Sequence, residues 1–182
     1  MGRNSAGVIS NGRGSKKSDG TPKTVLAAEH SIRGNTDYET AFIFDGDGKQ
    51  LKKIKGGKKS VDIGKPPKDS IITHNHPSNV SFSTADVITA VTHDVKEIRA
   101  VGKTYTYSLK RPKGGWEVKH PHNFIKWAMG EARRMAKEGT DQYYANGNGE
   151  SRANSANMLL PHLTMKLLAQ EFGWEYTKKR IK

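Results

Sequence analysis

Two histidines separated by one residue lie where the sequence predicts the end of a short buried strand. Ile71, Ile72 and Thr73 are β-branched residues typical of a strand, and His74 and His76 follow them almost directly. Alternate side chains of a strand point to the same face, so we expect the two imidazoles to point the same way. Two imidazoles aimed at one point supply half of the ligands of a metal site.

A capped helix is predicted a few residues after the histidines. Pro77 cannot donate to a sheet ladder and therefore ends the strand. Ser83 and Asp86 have the spacing of a capping box, in which each side chain binds the backbone N–H of the other residue. The helix behind the box carries the apolar residues Val87, Ile88, Val91 and Val95. The box returns the carboxylate of Asp86 towards the histidines.

Each of these pieces alone is usually structural, but together they resemble a known signature. The strand-end HxHP, the short loop and the SxxD resemble the JAMM motif of the JAB/MPN metallopeptidases, over about residues 25 to 110. The letters HNHPS at 74–78 are similar to those of RadC-type and phage-associated prokaryotic members. The resemblance implies a mixed α/β fold of the JAB/MPN type, which is a cytidine-deaminase-like mixed sheet with packed helices.

The resemblance also implies a role for each site residue. His74, His76 and Asp86 match the three zinc ligands of the family, and the fourth position is left for water, as a hydrolytic zinc site requires. Ser83 matches the serine that stabilises the oxyanion formed when a carbonyl is attacked. The family's glutamate begins an early strand, and Glu39 fits it as the general base that takes a proton from the water and delivers it to the leaving amine.

A second acidic residue, Glu29, also precedes the sheet strands and is the alternative to Glu39 as the base. Glu29 falls on the polar rim of a predicted first helix, where a carboxylate is usually solvated, whereas Glu39 begins an apolar run. His120 and His122 also alternate, but they flank a proline in a basic loop, and we predict that they are not ligands.

The expected activity is zinc-dependent hydrolysis of a peptide or isopeptide bond in a protein or peptide substrate. Two other classes stay open. One is a DNA-associated RadC-like protein or a metal nuclease in which Asn75 mimics an HNH signature. The other is a phage virion or head-morphogenesis interaction module.

Composition narrows these expectations. The 182-residue chain has no cysteine, which excludes disulfides, thiolate zinc fingers and a cysteine nucleophile. Its net charge of +13 is compatible with non-specific contact with nucleic acid through basic tails, but such charge equally keeps a small protein soluble. No apolar run approaches the length of a membrane span, so we expect no membrane partner and a cytoplasmic or virion-associated protein. The oligomeric state is left open.

The pattern along the chain predicts three regions. Residues 1–23 are Gly-, Ser- and Lys-rich and are expected to be a disordered basic tail. Residues 24–119 are expected to form the JAB/MPN-like domain, with a first helix ending near Gly34, a hairpin at 45–48, strands at 97–101 and 104–109, and a further short strand at 116–118. Residues 120–182 are expected to be a helical extension, with stops at Gly139 and Gly173 and a mobile polar loop at 147–151.

Overall fold

The computed structural model describes residues 20–144 and 149–181, which form a six-stranded mixed sheet and four helices. The strands are β1 (Thr40–Phe44), β2 (Gln50–Lys55), β3 (Ile71–Asn75), β4 (Glu97–Val101), β5 (Tyr105–Lys110) and β6 (Glu175–Arg180). The helices are α1 (Lys23–Ile32), α2 (Thr84–Thr92), α3 (Pro121–Tyr144) and α4 (Gly149–Phe172). The sheet order is β2-β1-β3-β4-β5-β6, in which β3 and β4 are parallel and every other neighbouring pair is antiparallel.

Helices cover both faces of the sheet. On one face, α1 packs against Phe42, Phe44 and Ile71. On the other face, the larger core joins Ala41 and Ile43 of the same strand to residues of α2, α3 and α4. The alternation of Phe42 and Phe44 with Ala41 and Ile43 follows from the period of two in a strand, and it gives the chain a three-layer architecture.

The mixed α/β class predicted from the sequence is confirmed. The first helix, the hairpin of β1 and β2, the strand that carries His74, the capped helix and the β4–β5 pair all form within a few residues of their predicted positions. Among the described helices, none has the length and apolarity needed to cross a membrane.

The short strand predicted at residues 116–118 is wrong. Gly115 and Glu117 both have positive φ angles, 93° and 49°, which are incompatible with a strand. Trp116 instead anchors this loop, since its indole N–H donates to the carbonyl of Val95 over 3.1 Å and its ring meets Trp174 edge to face at 5.0 Å. Trp116, the apolar residue that suggested a strand, therefore lies in a loop and packs into the core.

The predicted end of a helix at Gly139 is also wrong, because α3 continues to Tyr144. Thr140 donates its hydroxyl to the carbonyl of Ala136, and Lys137 pairs with Asp141 at 2.5 Å, so helical contacts span the glycine. The predicted end at Gly173 is confirmed, since α4 ends at Phe172 and Gly173 has a φ of 64°.

The last strand, β6, is one that the sequence analysis missed, because only helices were predicted after residue 120. β6 pairs antiparallel with β5 along its whole length. Its inward residue Tyr176 packs on the core, while the ammonium of Lys178 lies 4.1 Å from the centre of the Tyr105 ring. The basic run at the end of the sequence is therefore partly an edge strand.

Two predictions concern residues that lie wholly or partly outside the described ranges. Most of the tail predicted at 1–23 lies outside them, and residue 23 already begins α1. The polar loop predicted at 147–151 also falls partly outside them, and residues 149–151 belong to α4.

Candidate metal centre

The alternation of side chains along β3 determines which of them lie on the same face of the sheet. Ile72 lies in the core beneath α2 and α3, so His74 and His76, two and four residues on, share that face. Thr73 lies on the opposite face, where its hydroxyl donates to Glu29 of α1 over 3.2 Å. Asn75 also lies on that opposite face. The two histidines therefore point to one side of the sheet, and the asparagine between them points to the other.

A capping box brings the carboxylate to the histidines, as predicted. Asp86 donates its backbone N–H to the hydroxyl of Ser83 over 3.2 Å, and Ser83 donates its backbone N–H to Oδ2 of Asp86 over 2.7 Å. The Ser83 hydroxyl also donates to Oδ2 of Asp86, over 2.7 Å. These bonds fix Asp86 in the first turn of α2, directly over the end of β3.

His74, His76 and Asp86 converge on one point. The Nε2 atom of His74 lies 2.7 Å from Nε2 of His76 and 3.3 Å from Oδ1 of Asp86. The Nε2 atom of His76 lies 3.5 Å from Oδ2 of Asp86. Ligand atoms about 2.0–2.1 Å from a tetrahedral zinc ion are about 3.3 Å apart. The distance from His74 Nε2 to Oδ1 of Asp86 matches that spacing, whereas the 2.7 Å between the two Nε2 atoms is shorter, and the 3.5 Å from His76 ends on the other carboxylate oxygen, Oδ2. Within the described part of the chain, this is the cluster that could hold a metal.

The hydrogen bonds of the imidazoles also bear on metal binding. Nδ1 of His76 lies 3.0 Å from the carbonyl oxygen of Val80, which can only accept, so Nδ1 carries a proton. Nε2 of a neutral His76 is then left with its lone pair directed at the cluster, which is the tautomer that a metal needs. Nδ1 of His74 is buried and has no hydrogen-bond partner among the described residues.

The Asp86 carboxylate and the two imidazoles attract one another electrostatically, and this interaction shifts their pKa values. Although burial acts to raise the pKa of Asp86, the charges and hydrogen bonds of His74 and His76 hold it well below its usual value. Burial acts to lower the pKa of His76, but the hydrogen bond and charge of Asp86 outweigh it and raise that pKa. The carboxylate is thus ionised and prefers a positive partner at this point.

Glu39 lies beside this cluster. β1 and β3 are antiparallel with Ala41 opposite His74, and the same register carried two residues further sets Glu39 opposite His76. Glu39 is 8 % exposed and shares its cavity with His76 and Asp86. Burial raises the pKa of the Glu39 carboxyl above its usual value, against the lowering effects of the His76 and His74 charges.

Asn75 holds the chain segment that carries Glu39. Its amide N–H groups donate to the backbone carbonyls of Asn35 and Tyr38, both over 3.0 Å, and its amide oxygen accepts from the N–H of Thr40 over 2.6 Å. Three bonds thus tie both sides of Glu39 to the strand that bears the histidines. Sequence reasoning missed this role, although the alternation of β3 already sets Asn75 on the face away from the histidines.

A cavity of about 710 Å³ opens at the cluster. Its lining includes Glu39, His76, Ser83 and Asp86, so the candidate base, two candidate ligands and the candidate oxyanion donor face one space. The side chain of Ser83 is exposed at this point. A volume of this size suits a few residues of an extended peptide or a small organic ligand.

No protein-family model, curated protein or solved structure matches this chain.

The remaining candidates lie elsewhere. His122 is exposed and its ring contacts Asn123, and His120 is exposed in the loop before α3. Glu29 was expected on a solvated rim, and that expectation is wrong: it is 6 % exposed and forms an ion pair with Arg99. Its partner lies 70 residues away in the sequence, so no local pattern could have revealed the pair.

Proposed function

We propose that this chain is a zinc-dependent hydrolase of the JAB/MPN type that cleaves a peptide or isopeptide bond. The observation that carries the proposal is the convergence of His74, His76 and Asp86 beside a cavity that His76, Asp86 and Glu39 line. The order of helix, hairpin, strand, capped helix and strands supports the proposed family. Two histidines and one carboxylate, with no cysteine in the chain, favour zinc among the common metals.

The metal and the chain have separate tasks in this proposal. When held by the three proposed ligands, a zinc ion would act as a Lewis acid and lower the pKa of the water bound to it to about 7. Glu39, whose pKa is raised by burial, takes the proton of the attacking water and passes it to the leaving amine. Its raised pKa brings the carboxyl closer to neutral pH, where a group can both accept and return a proton.

Ser83 is proposed to stabilise the oxyanion that forms as the substrate carbonyl is attacked. Its exposed hydroxyl stands on the rim of the cavity and now donates to Asp86. Rotation about one side-chain bond turns the hydroxyl towards a substrate carbonyl, and a single donor of this kind contributes about 10²–10³-fold to a rate.

Exchange of the proposed base for its amide separates catalysis from folding and metal binding. Glu39→Gln keeps the size of the side chain but cannot accept the proton, so we expect the variant to retain zinc and lose about two to four orders of magnitude in hydrolysis rate. The assay is cleavage of a proteome-derived peptide library by zinc-loaded protein, followed by mass spectrometry.

The matched control is Glu175→Gln, which makes the same change at an exposed position of β6. We expect it to cleave as fast as the unchanged protein. Full activity of Glu39→Gln on a peptide that His76→Ala cannot cleave would exclude Glu39 as the base. Cleavage of a DNA substrate under the same conditions, with no peptide cleaved, would replace the proposal by the metal-nuclease alternative.

A further inference from the structure

The wall of the metal-centre cavity carries three cations besides the groups already discussed. Lys126 and Arg133 come from α3, and Lys59 comes from the loop after β2. Lys126 and Arg133 are seven residues apart, about two helical turns, so they project from the same side of α3 with roughly 10 Å between them along its axis. The cavity therefore has a basic wall formed by two separate segments of the chain.

These three cations are not neutralised by the chain around them. Among the described residues, Lys59, Lys126 and Arg133 form no ion pair. Neighbouring cations of α3 behave differently: Arg134 pairs with Glu131 and Glu138 over 3.0 and 2.8 Å. The unpaired cations of this helix surface are thus concentrated at the cavity.

The acidic groups of the cavity are already engaged. In the described lining, the carboxylates are Glu39 and Asp86. Asp86 contacts both imidazoles, and the charges of His76 and His74 act on Glu39. The three basic side chains consequently project an unbalanced positive potential into a partly enclosed space, where a low-dielectric wall strengthens it.

The other residues that line the cavity indicate whether an acidic peptide or a nucleic acid is the better anionic ligand. Val61, Val80, Met129 and Pro161 provide apolar contact suited to peptide side chains. Sites that bind single-stranded nucleic acid combine basic side chains with exposed aromatic faces on which the bases stack. Phe82 is the aromatic residue among the described lining residues, and it is 2 % exposed, so its ring is committed to the core.

We propose that this cavity binds an acidic peptide, a substrate segment with aspartate or glutamate side chains a few residues from the bond to be cleaved. Lys126 and Arg133 bind those carboxylates, and Lys59 contributes from the facing loop. The inference rests on the proposed function in taking this cavity as the substrate site, and it adds the chemical class of the substrate.

The test measures binding and does not require cleavage. The full chain, loaded with zinc, is titrated against a fluorescein-labelled octapeptide that contains four glutamates, against its glutamine counterpart, and against a labelled single-stranded oligonucleotide of equal net charge. Anisotropy at low salt is expected to give a Kd for the glutamate peptide about tenfold below that for the glutamine peptide. Because basic tails can also contact nucleic acid, oligonucleotide binding by the cavity is measured as the loss of affinity when Lys126 and Arg133 are replaced by glutamine, and this loss is expected to be less than about twofold.

Two double variants of equal charge identify the residues responsible. Lys126→Gln with Arg133→Gln removes two cavity cations, and Arg134→Gln with Lys137→Gln removes two cations from the same helix outside the cavity lining. We expect the first to weaken glutamate-peptide binding about tenfold and the second to change it less than about twofold, because only the first alters the cavity.

Several outcomes overturn the inference. One is equal affinity of the unchanged protein for the glutamate and glutamine peptides, a comparison that depends on no variant. Another is equal loss in the two double variants, which would assign the effect to general charge. The third is tighter binding of the oligonucleotide through Lys126 and Arg133. Failure to hydrolyse any peptide, with glutamate-selective binding intact, would instead refute the proposed function and leave the acidic-ligand site standing.

Discussion

Replacing Glu29 by alanine removes one partner from a buried charge cluster under the sheet. Glu29 and Arg99 are 6 % and 4 % exposed, and the Arg99 guanidinium also donates to Glu97 over 2.6 Å. Burial acts to lower the pKa of Arg99, but Glu29 and Glu97 outweigh it, so the guanidinium stays charged. The loss of Glu29 leaves this buried charge with one carboxylate partner, Glu97, and leaves the Thr73 hydroxyl without the acceptor it has in Glu29.

The expected cost follows from that geometry. Removing one partner of a buried ion pair costs about 3–5 kcal/mol when the remaining charge is left uncompensated. Because Arg99 keeps its ion pair with Glu97, we expect the lower end of that range, about 3 kcal/mol, for Glu29→Ala. Glu29→Gln keeps an acceptor and should cost less, about 1.5–3 kcal/mol, the value of a hydrogen bond to a charged group. Against the roughly 5–15 kcal/mol that stabilises a typical domain, the alanine variant loses a large part of its stability.

The assay is urea denaturation followed by circular dichroism, with Glu138→Ala as the matched control. Glu138 pairs with Arg134 over 2.8 Å, but both side chains are more than half exposed, and such a pair contributes less than about 1 kcal/mol. The reasoning is refuted if Glu29→Ala and Glu138→Ala lower the free energy of unfolding by the same amount, at unchanged dependence on urea.

Two further predictions concern the support of the site and the response to pH. Asn75→Ala should lower the hydrolysis rate about tenfold or more with zinc content unchanged, because the segment that carries Glu39 loses three hydrogen bonds; zinc loss in parallel with activity would contradict this. Burial and the charges of Lys178 and Lys166 lower the pKa of His162 to about 4. The unfolded chain therefore takes up the proton first, and the melting temperature should fall as the pH drops from about 6.5 to 4. His162→Gln should flatten that part of the profile, and an unaltered profile would exclude His162 as its source.

The convergence of two histidines and an aspartate could be predicted from the sequence because its determinants are local. The alternation of a strand alone sets His74 and His76 on one face, and the capping box alone turns Asp86 back towards them. Both rules act over two or three residues, and each is fixed by backbone geometry. The approach of Glu39 to the cluster needed one long-range fact, the antiparallel pairing of β1 with β3.

The features that the sequence did not reveal depend on distant contacts. Glu29 is buried because Arg99 lies across the sheet, and an amphipathic pattern shows only that its helix has a polar side. Gly139 does not end α3 because packing and flanking contacts outweigh its low helix propensity. β6 is an edge strand rich in lysine, and its weak alternation resembles that of a solvated basic tail.

Metal content tests the central claim most directly. Protein purified without chelator should contain about one zinc per chain by elemental analysis, since the three proposed ligands would form one site with an open position. His76→Ala should lose the metal, whereas Glu39→Gln and a control with both His120 and His122 replaced by alanine should keep it. Absence of zinc with all three ligands present, or loss of zinc in the His120 and His122 control alone, would contradict the assignment.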